Sequence, residues 1–492
     1  MVPFFKHKSY INFRVLLRVI GWLLMIEGGF MALPTLLGFI DGDNSAVPFI
    51  IGTGITFTAA FSLMSLKTRS REMGKREAIL LTSLTWIILS LFGMLPFLFT
   101  HSHLSVTDAF FETISGFTTT GMSVIGSLDG VPRSILLWRC LLQWIGGMGI
   151  ILFTLAVIPM LNYQGGMMLF NAEVTGITHD KLAPRVSYTA KSLWLIYIIL
   201  TLLLIIALLF SEMTTFDAIC YGLSTMSTGG FSTSDLSITE WDNLYVKIVM
   251  AIFMFIGGIN FSLIYQGTRG RFDTFRNNTV FKVYLSWIGI AYLLFCFNVW
   301  RTGSGHDWID YSIDPIFQAI SLASSTGMTE PDFSDWGSIS TVVMIVLIFT
   351  GACAGSTSGG AKLDRIIILL KFMRNQFYQM MHPSAVTTVR INGQGTSYVL
   401  VQKVLGFLFL YILVIMVGGT LLTIMGLSLT DSFFYALSAI SNAGLGTEVA
   451  CVTQHYSTIP DVAKWLLALL MLIGRLELYT VLLLFTPMFW RK

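Results

Sequence analysis

The chain has 492 residues, 54% of them hydrophobic and only 12% charged, and its 30 Lys and Arg against 27 Asp and Glu give a formal net charge of +3. A soluble domain must cover its core with charge, so this balance, with a mean hydropathy of +0.74, puts most of the surface in lipid and excludes an ordinary soluble domain. The basic residues sit in short loops rather than in one patch, which also argues against nucleic acid as a partner.

The N-terminus carries Lys6, Lys8, Arg14 and Arg18 ahead of an apolar run from Leu16 to about Ile40. That run is too long for a signal-peptide core and has no clear cleavage site, so it reads as a retained first span. At about 20 apolar residues per crossing, spans are expected near 15–40, 46–66, 77–100, 134–161, 191–210, 244–266, 281–300, 338–380, 398–425 and 462–488. The eighth is too long for one crossing and is interrupted at 351–360. Basic residues mark every second loop as cytoplasmic: Lys67, Arg69, Arg71, Lys75 and Arg76; Lys181, Arg185 and Lys191; Arg269, Arg271 and Arg276; Lys371, Arg374, Arg390 and Lys403; and the terminal Arg491 and Lys492. Ten spans with both termini inside satisfy this pattern. The opposite loops hold acids, among them Asp41, Asp43, Asp108, Glu112, Glu212, Asp217, Asp235, Glu240, Asp307, Asp314, Glu330, Asp332, Asp431 and Glu448. Any single acid is ordinary loop polarity, but together they raise the local cation concentration on one face.

Four outer loops carry related segments, too apolar for loops and too short to span. They run from Asp108 to Gly121, Asp217 to Gly229, Asp314 to Gly327 and Asp431 to Gly444. Each has an Asp, apolar residues at helical spacing, a Ser, and a small-polar-Gly tail, and each lies between two spans. Four repeats in register with the spans are a strong signal of an internal repeat. The aspartates are expected to cap short helices. Such a helix, ending in Thr-Gly or Ala-Gly, directs its carbonyl end and negative dipole at whatever lies on the axis, which favours cations. Non-helical backbone at membrane depth is tolerated only where it is buried or lines a water-filled path. Glycine allows the angles that turn carbonyls inward, so four such tails can replace the hydration shell of a potassium ion.

At this point the residues resemble the Trk/Ktr/HKT superfamily of potassium transporters, most closely its bacterial Trk-type membrane subunits. The resemblance covers essentially the whole chain: the four loops, 137–149 after the first, Gly257-Gly258 after the second, 355–362 after the third and 474–479 after the fourth. It implies an all-α polytopic fold of four fused helix-pore loop-helix units around one pore, at 71–165, 185–270, 278–385 and 395–492, preceded by two extra helices at 1–70. It also implies potassium uptake across the inner membrane through a filter of Thr119, Thr120, Gly121, Ser227, Thr228, Gly229, Ser325, Thr326, Gly327, Asn442, Ala443 and Gly444. In the family the filter glycine sets potassium preference, and a Ser in the first loop goes with sodium transport in some plant relatives. All four positions here are glycine. The fourth loop, with Asn442-Ala443 where the others have Ser or Thr, departs from fourfold equivalence. The resemblance further implies a homodimer and a separate cytoplasmic, nucleotide-binding regulatory subunit docking on basic inner loops such as 362–403, with no cofactor in this chain.

The Gly- and Ser-rich run at 351–360 falls at membrane depth and cannot hold a lipid-facing helix, so it reads as an intramembrane loop below the filter. The alternative is a close helix-packing face. In the family this loop obstructs the cavity, which makes Gly355, Ser356, Thr357, Ser358, Gly359 and Gly360 the expected gate. Arg475 lies inside the last apolar span, where a charge faces a cavity or a partner; Glu477, two residues on, points to another helix face. The resemblance puts this arginine in the pore as a cation barrier. Glu27 and Arg139 read as buried structural polar groups.

Cys140, Cys220, Cys296, Cys353 and Cys451 stand singly in or beside apolar segments, without metal-ligand spacing, and read as packing residues. His101, His103, His179, His306, His382 and His455 lie in loops and no catalytic cluster falls within a span, which disfavours a membrane enzyme. The Gly146-Gly147-Met148-Gly149 run lies inside a span, so a dinucleotide site fails on context. A proton- or sodium-coupled carrier remains the main alternative; it would need intramembrane acids, of which the spans offer little beyond Glu27 and Glu477.

Overall fold

At membrane depth a backbone must satisfy its own amides, so long apolar runs become helices. The computed structural model describes residues 11–42, 44–67, 74–100, 104–147, 149, 186–241, 243–305, 307–329, 336–446 and 456–491, and nearly all regular structure among them is helical. Helices α1 (Phe13–Asp41) and α2 (Ala46–Met64) pack on one another; Gly42, left-handed at φ 67°, ends the first.

Four units of one plan follow. The first has α3 (Lys75–Gly93) continued by α4 (Leu95–Phe99), the short α5 (Val106–Phe117) and α6 (Arg133–Gly147). The second has α7 (Val186–Leu209), the short α8 (Thr215–Met226), and α9 (Leu244–Gly257) bent by 102° into α10 (Phe261–Thr268). After α11 (Asp273–Asn277), the third has α12 (Thr279–Thr302), α13 (Trp308–Ala323), α14 (Ser338–Thr350) and α15 (Leu363–Met381). A two-residue hairpin, β1 (Arg390–Ile391) against β2 (Gln394–Gly395), leads to the fourth. That unit has α16 (Tyr398–Ile424), the short α17 (Leu429–Ile440), and α18 (Asp461–Arg475) bent by 112° into α19 (Tyr479–Leu482), before a terminal turn, α20 (Pro487–Trp490).

Six of these helices are long and apolar enough to cross a membrane, and eight segments are if each bent pair counts as one. Two further expected spans fall short of that length for different reasons. The one near 134–161 is described only to Gly147, while 338–380 is interrupted between Thr350 and Leu363. The interruption is at the expected place, two residues longer than expected. The residues at 351–354 and Thr357, Ser358, Ala361 and Lys362 are buried, so this backbone lies inside protein rather than in lipid.

The short helices form the interior. In α5 every residue from Ala109 to Phe117 is buried. Cys140, Cys220 and Cys353 are buried and free, and Cys296 is half-buried and free, consistent with packing roles. Lys6, Lys8, Asp43, Arg69, Arg71, His101, His103, His179, Lys181, Arg185, His306, Glu330, Asp332, Glu448, Cys451, His455 and Lys492 lie outside the described residues.

Candidate functional site: a ring of four loops

Three of the four short helices begin on hydroxyls, not on the aspartates expected as caps. Ser105, Thr214 and Ser428 are the N-caps, accepting from the amides of Asp108, Asp217 and Asp431 at 3.1, 3.2 and 3.2 Å. Each hydroxyl also donates to the same aspartate, at 2.8, 2.5 and 2.6 Å. The aspartates therefore occupy the third helical position, where a carboxylate favours the positive end of the helix. The third short helix starts earlier, at Asp307, and Asp314 falls inside it, next to Pro315. Asp314 instead pairs with Lys247 at 2.9 Å, joining the second and third units, and Asp108 pairs with Lys464 at 2.6 Å, joining the first and fourth.

Past each short helix the backbone repeats one conformation. Two left-handed residues alternate with one that is not: Thr119 and Gly121 (φ 54° and 87°), Thr228 and Gly230 (53° and 82°), Ser325 and Gly327 (53° and 77°), Asn442 and Gly444 (50° and 75°). The residue between them donates back to the serine five residues earlier: Thr120 to Ser115, Gly229 to Ser224, Thr326 to Ser321 and Ala443 to Ser438, at 2.9 to 3.0 Å. These bonds set a register that differs by one from the sequence expectation in the second loop. Gly230, not Gly229, is the counterpart of Gly121, Gly327 and Gly444, and Gly229 matches Thr120, Thr326 and Ala443. The signal was present in the spacing, since each matching glycine follows its loop's aspartate by thirteen positions (108 and 121, 217 and 230, 314 and 327, 431 and 444).

The four tails close into a ring. A Cβ added to Gly121 would stand 2.4 Å from the Gly229 carbonyl oxygen, on Gly230 2.1 Å from that of Thr326, on Gly327 2.2 Å from that of Ala443, and on Gly444 2.1 Å from that of Thr120. Each loop thus rests on the next, and the fourth on the first. Only glycine permits both the left-handed φ and this approach. Threonine at a left-handed φ is strained, and Thr119 and Thr228 hold it inside this mutually braced ring. The four glycines at 121, 230, 327 and 444 line one cavity of about 110 Å³, with Ser123, Asp235 and Tyr456 on its walls.

Behind the ring, Glu112 and Arg139 form a fully buried pair at 2.7 Å. Glu112 also accepts from the Val124 amide at 2.9 Å, and Arg139 donates to Ser123 Oγ at 3.0 Å and to the Ser232 carbonyl at 3.3 Å. The expected structural role of Arg139 thus has its partner. Glu27 is equally buried, but neither of its oxygens has a hydrogen-bond partner among the described residues. Close packing repeats here too: a Cβ on Gly146 or Gly474 would stand 1.8 or 2.0 Å from the carbonyl ending the neighbouring short helix, at Phe117 or Ile440.

On the side of the ring away from the cavity lies Arg475. Its guanidinium donates to Thr119 Oγ1 at 3.1 Å and to the carbonyls of Thr357, Gly146 and Gly147 at 3.0, 2.5 and 2.9 Å. Glu477 pairs with Arg365 instead. The intramembrane loop packs beneath the third and fourth loops: the Gly359 amide donates to Ser325 Oγ at 2.6 Å and the Gly360 amide to the Ser441 carbonyl at 3.0 Å. Thr357 reaches the second unit, its amide and hydroxyl donating to the Gly257 carbonyl at 3.3 and 3.1 Å. Of the six expected gate residues, Thr357, Gly359 and Gly360 make these contacts, and the Ser358 hydroxyl lies 3.0 Å from that of Ser356. Ser356 turns back onto the Cys353 carbonyl, and Gly355 is exposed, accepting from the Phe261 amide at 2.9 Å.

Four fused helix-loop-helix units around a closed ring of backbone, with the loops buried in a helical membrane protein, define a polytopic membrane transport protein. The TrkH family model, described as a cation transport protein, matches residues 48–282 and 309–492, and the chain belongs to this family. It is 35% identical over 490 residues to the Trk system potassium uptake protein TrkH of Escherichia coli (strain K12), covering 98% of this chain and all of that one. It is 32% identical over 481 residues to the Trk system potassium uptake protein TrkI of Halomonas elongata, with 97% of each chain covered. The crystal structure of the potassium transporter TrkH from Vibrio parahaemolyticus superposes with a TM-score of 0.88 at 32% identity, over 98% of this chain and 100% of that one. The fold that the resemblance implies is therefore the observed one, and the family is one of transporters, not enzymes.

Proposed function

We propose that this chain takes up potassium through the ring, with the carbonyls of Thr120, Gly229, Thr326 and Ala443 among the oxygens that replace the ion's hydration shell. The observation that carries this is the closed sequence of glycine-to-carbonyl contacts running from the first loop to the fourth and back. Four short helices end at this ring, and their carbonyl ends favour a cation there. The names of the relatives support potassium as the ion.

In this reading the loop segment at 355–360 is the gate and Arg475 the charge that opposes cations below the filter. Its contacts with Thr119 and Thr357 support a joint role. The protein works in the cell inner membrane with both termini cytoplasmic, as a homodimer in lipid, regulated by a nucleotide-binding cytoplasmic subunit docking on the basic face at 362–403. Potassium is the substrate rather than a resident cofactor.

The test is flux from purified protein in proteoliposomes. Uptake driven by a potassium gradient alone, with sodium passing far more slowly, supports the reading. Uptake that requires an imposed proton or sodium gradient makes the chain a coupled carrier instead, and co-purification with the candidate subunit tests the partner.

A further inference from the structure

The second loop differs from the others just before its outer glycine. Thr120, Thr326 and Ala443 stand where it has Gly229. The backbone does not demand a glycine there, because Gly229 is not left-handed. A side chain does: a Cβ on Gly229 would lie 2.3 Å from the carboxamide carbon of Gln143. Gln143 comes from α6 of the first unit and is fully buried. Its Oε1 accepts from Ser224 Oγ at 2.8 Å and from the Phe231 amide at 3.2 Å, which fixes the amide's orientation. Its Nε2 then donates to the Gly229 carbonyl at 2.7 Å. Among the described residues no side chain donates to the matching carbonyls of Thr120, Thr326 or Ala443.

We propose that Gln143 is a positioning residue that weakens one of the four ring oxygens and thereby sets the ring's size preference among monovalent cations. This rests on the ring being the ion filter. A carbonyl that already accepts a hydrogen bond offers less electron density to an ion, so the ring has three full donors and one reduced one. A weaker field cannot replace the tightly held hydration shell of a small ion, whereas larger ions lose their water more easily. Gln143 therefore acts through the Gly229 carbonyl to disfavour sodium relative to potassium, and potassium relative to rubidium.

The experiment compares sodium, potassium and rubidium flux in proteoliposomes for the parent protein, Gln143→Met, Gln143→Leu and Gly121→Ser. Both Gln143 variants remove the donor, Met keeping the side chain's length and Leu much of its volume, so one serves if the other fails to fold. The expected result is a sodium-to-potassium ratio raised about fivefold, the size of one neutral hydrogen bond, with the rubidium-to-potassium ratio lowered. A merely loosened ring would instead raise the sodium-to-potassium ratio without lowering the rubidium-to-potassium ratio, and that outcome overturns the proposal. Unchanged ratios in the Gln143 variants, with sodium discrimination lost in Gly121→Ser, overturn it while leaving the filter intact. If Gly121→Ser also leaves sodium discrimination unchanged, the filter reading itself fails.

Discussion

Arg475 donates to the Thr357 carbonyl at 3.0 Å, so the last spanning helix and the intramembrane loop meet directly under the first loop of the ring. All four of the guanidinium's acceptors described above are neutral oxygens. Replacing Arg475 by Ala removes both a positive charge and the bond that holds the loop. Potassium flux is expected to rise several-fold, with a stability loss below about 3 kcal/mol, because the lost hydrogen bonds are offset by no longer burying a charge. Thermal unfolding and flux on the same preparation check this; a larger stability loss without a gain in flux defeats the barrier role.

Shortening the loop by a few residues within 355–360 is expected to raise basal flux in the absence of any activator. The Gly359 and Gly360 contacts to Ser325 and Ser441 would be lost while the ring itself stays braced by its glycines. Unaltered or lower flux in folded, membrane-inserted protein would support a packing role instead.

Gly230→Ala is expected to lower the potassium-to-sodium flux ratio as Gly121→Ser does, since its Cβ would press on the Thr326 carbonyl 2.1 Å away. Matched ratios measured for the two variants test the corrected register, and an unchanged ratio in Gly230→Ala would remove that residue from the filter.

Arg139→Met should destabilise the protein by about 3–5 kcal/mol, because it leaves the Glu112 carboxylate buried without its charge partner. Adding Glu112→Gln should recover part of the loss. Thermal melts of the single and double variants measure the coupling, and additive losses would mean that the pair does not act as one unit.

Glu27→Met should be neutral or stabilising. Both carboxyl oxygens are buried without a hydrogen-bond partner among the described residues, in a pocket lined by Leu23, Phe30, Leu89, Phe117 and Trp144, so an apolar side chain of similar length replaces an unsatisfied polar one. A melting temperature lowered by the equivalent of more than about 1 kcal/mol would point to a role that the apolar surroundings do not explain.

What the sequence determined by itself was the arrangement along the chain. Apolar runs, basic loops and the fourfold Asp-to-Gly segment marked the membrane, the repeated unit and the broken eighth span, because hydrophobic length and glycine content act locally. It misread the caps, since Ser105, Thr214 and Ser428 lie outside the repeat as it was delimited, and it misplaced the second loop by one residue at the Gly229-Gly230 pair. The thirteen-residue spacing from the aspartates carries the register, but the reason for each glycine of the pair shows only in three dimensions. Gly230 is glycine because the Thr326 carbonyl of the next loop presses on it, and Gly229 because Gln143, from another unit, occupies the space of its side chain. The partners of Arg139, Arg475 and Glu477 were hidden for the same reason: each lies in a different helix or loop, 27, 118 and 112 positions away for Glu112, Thr357 and Arg365. Buried polar groups at membrane depth take whichever partner the helix packing brings to them, and that packing is a property of the assembled ring rather than of any one segment.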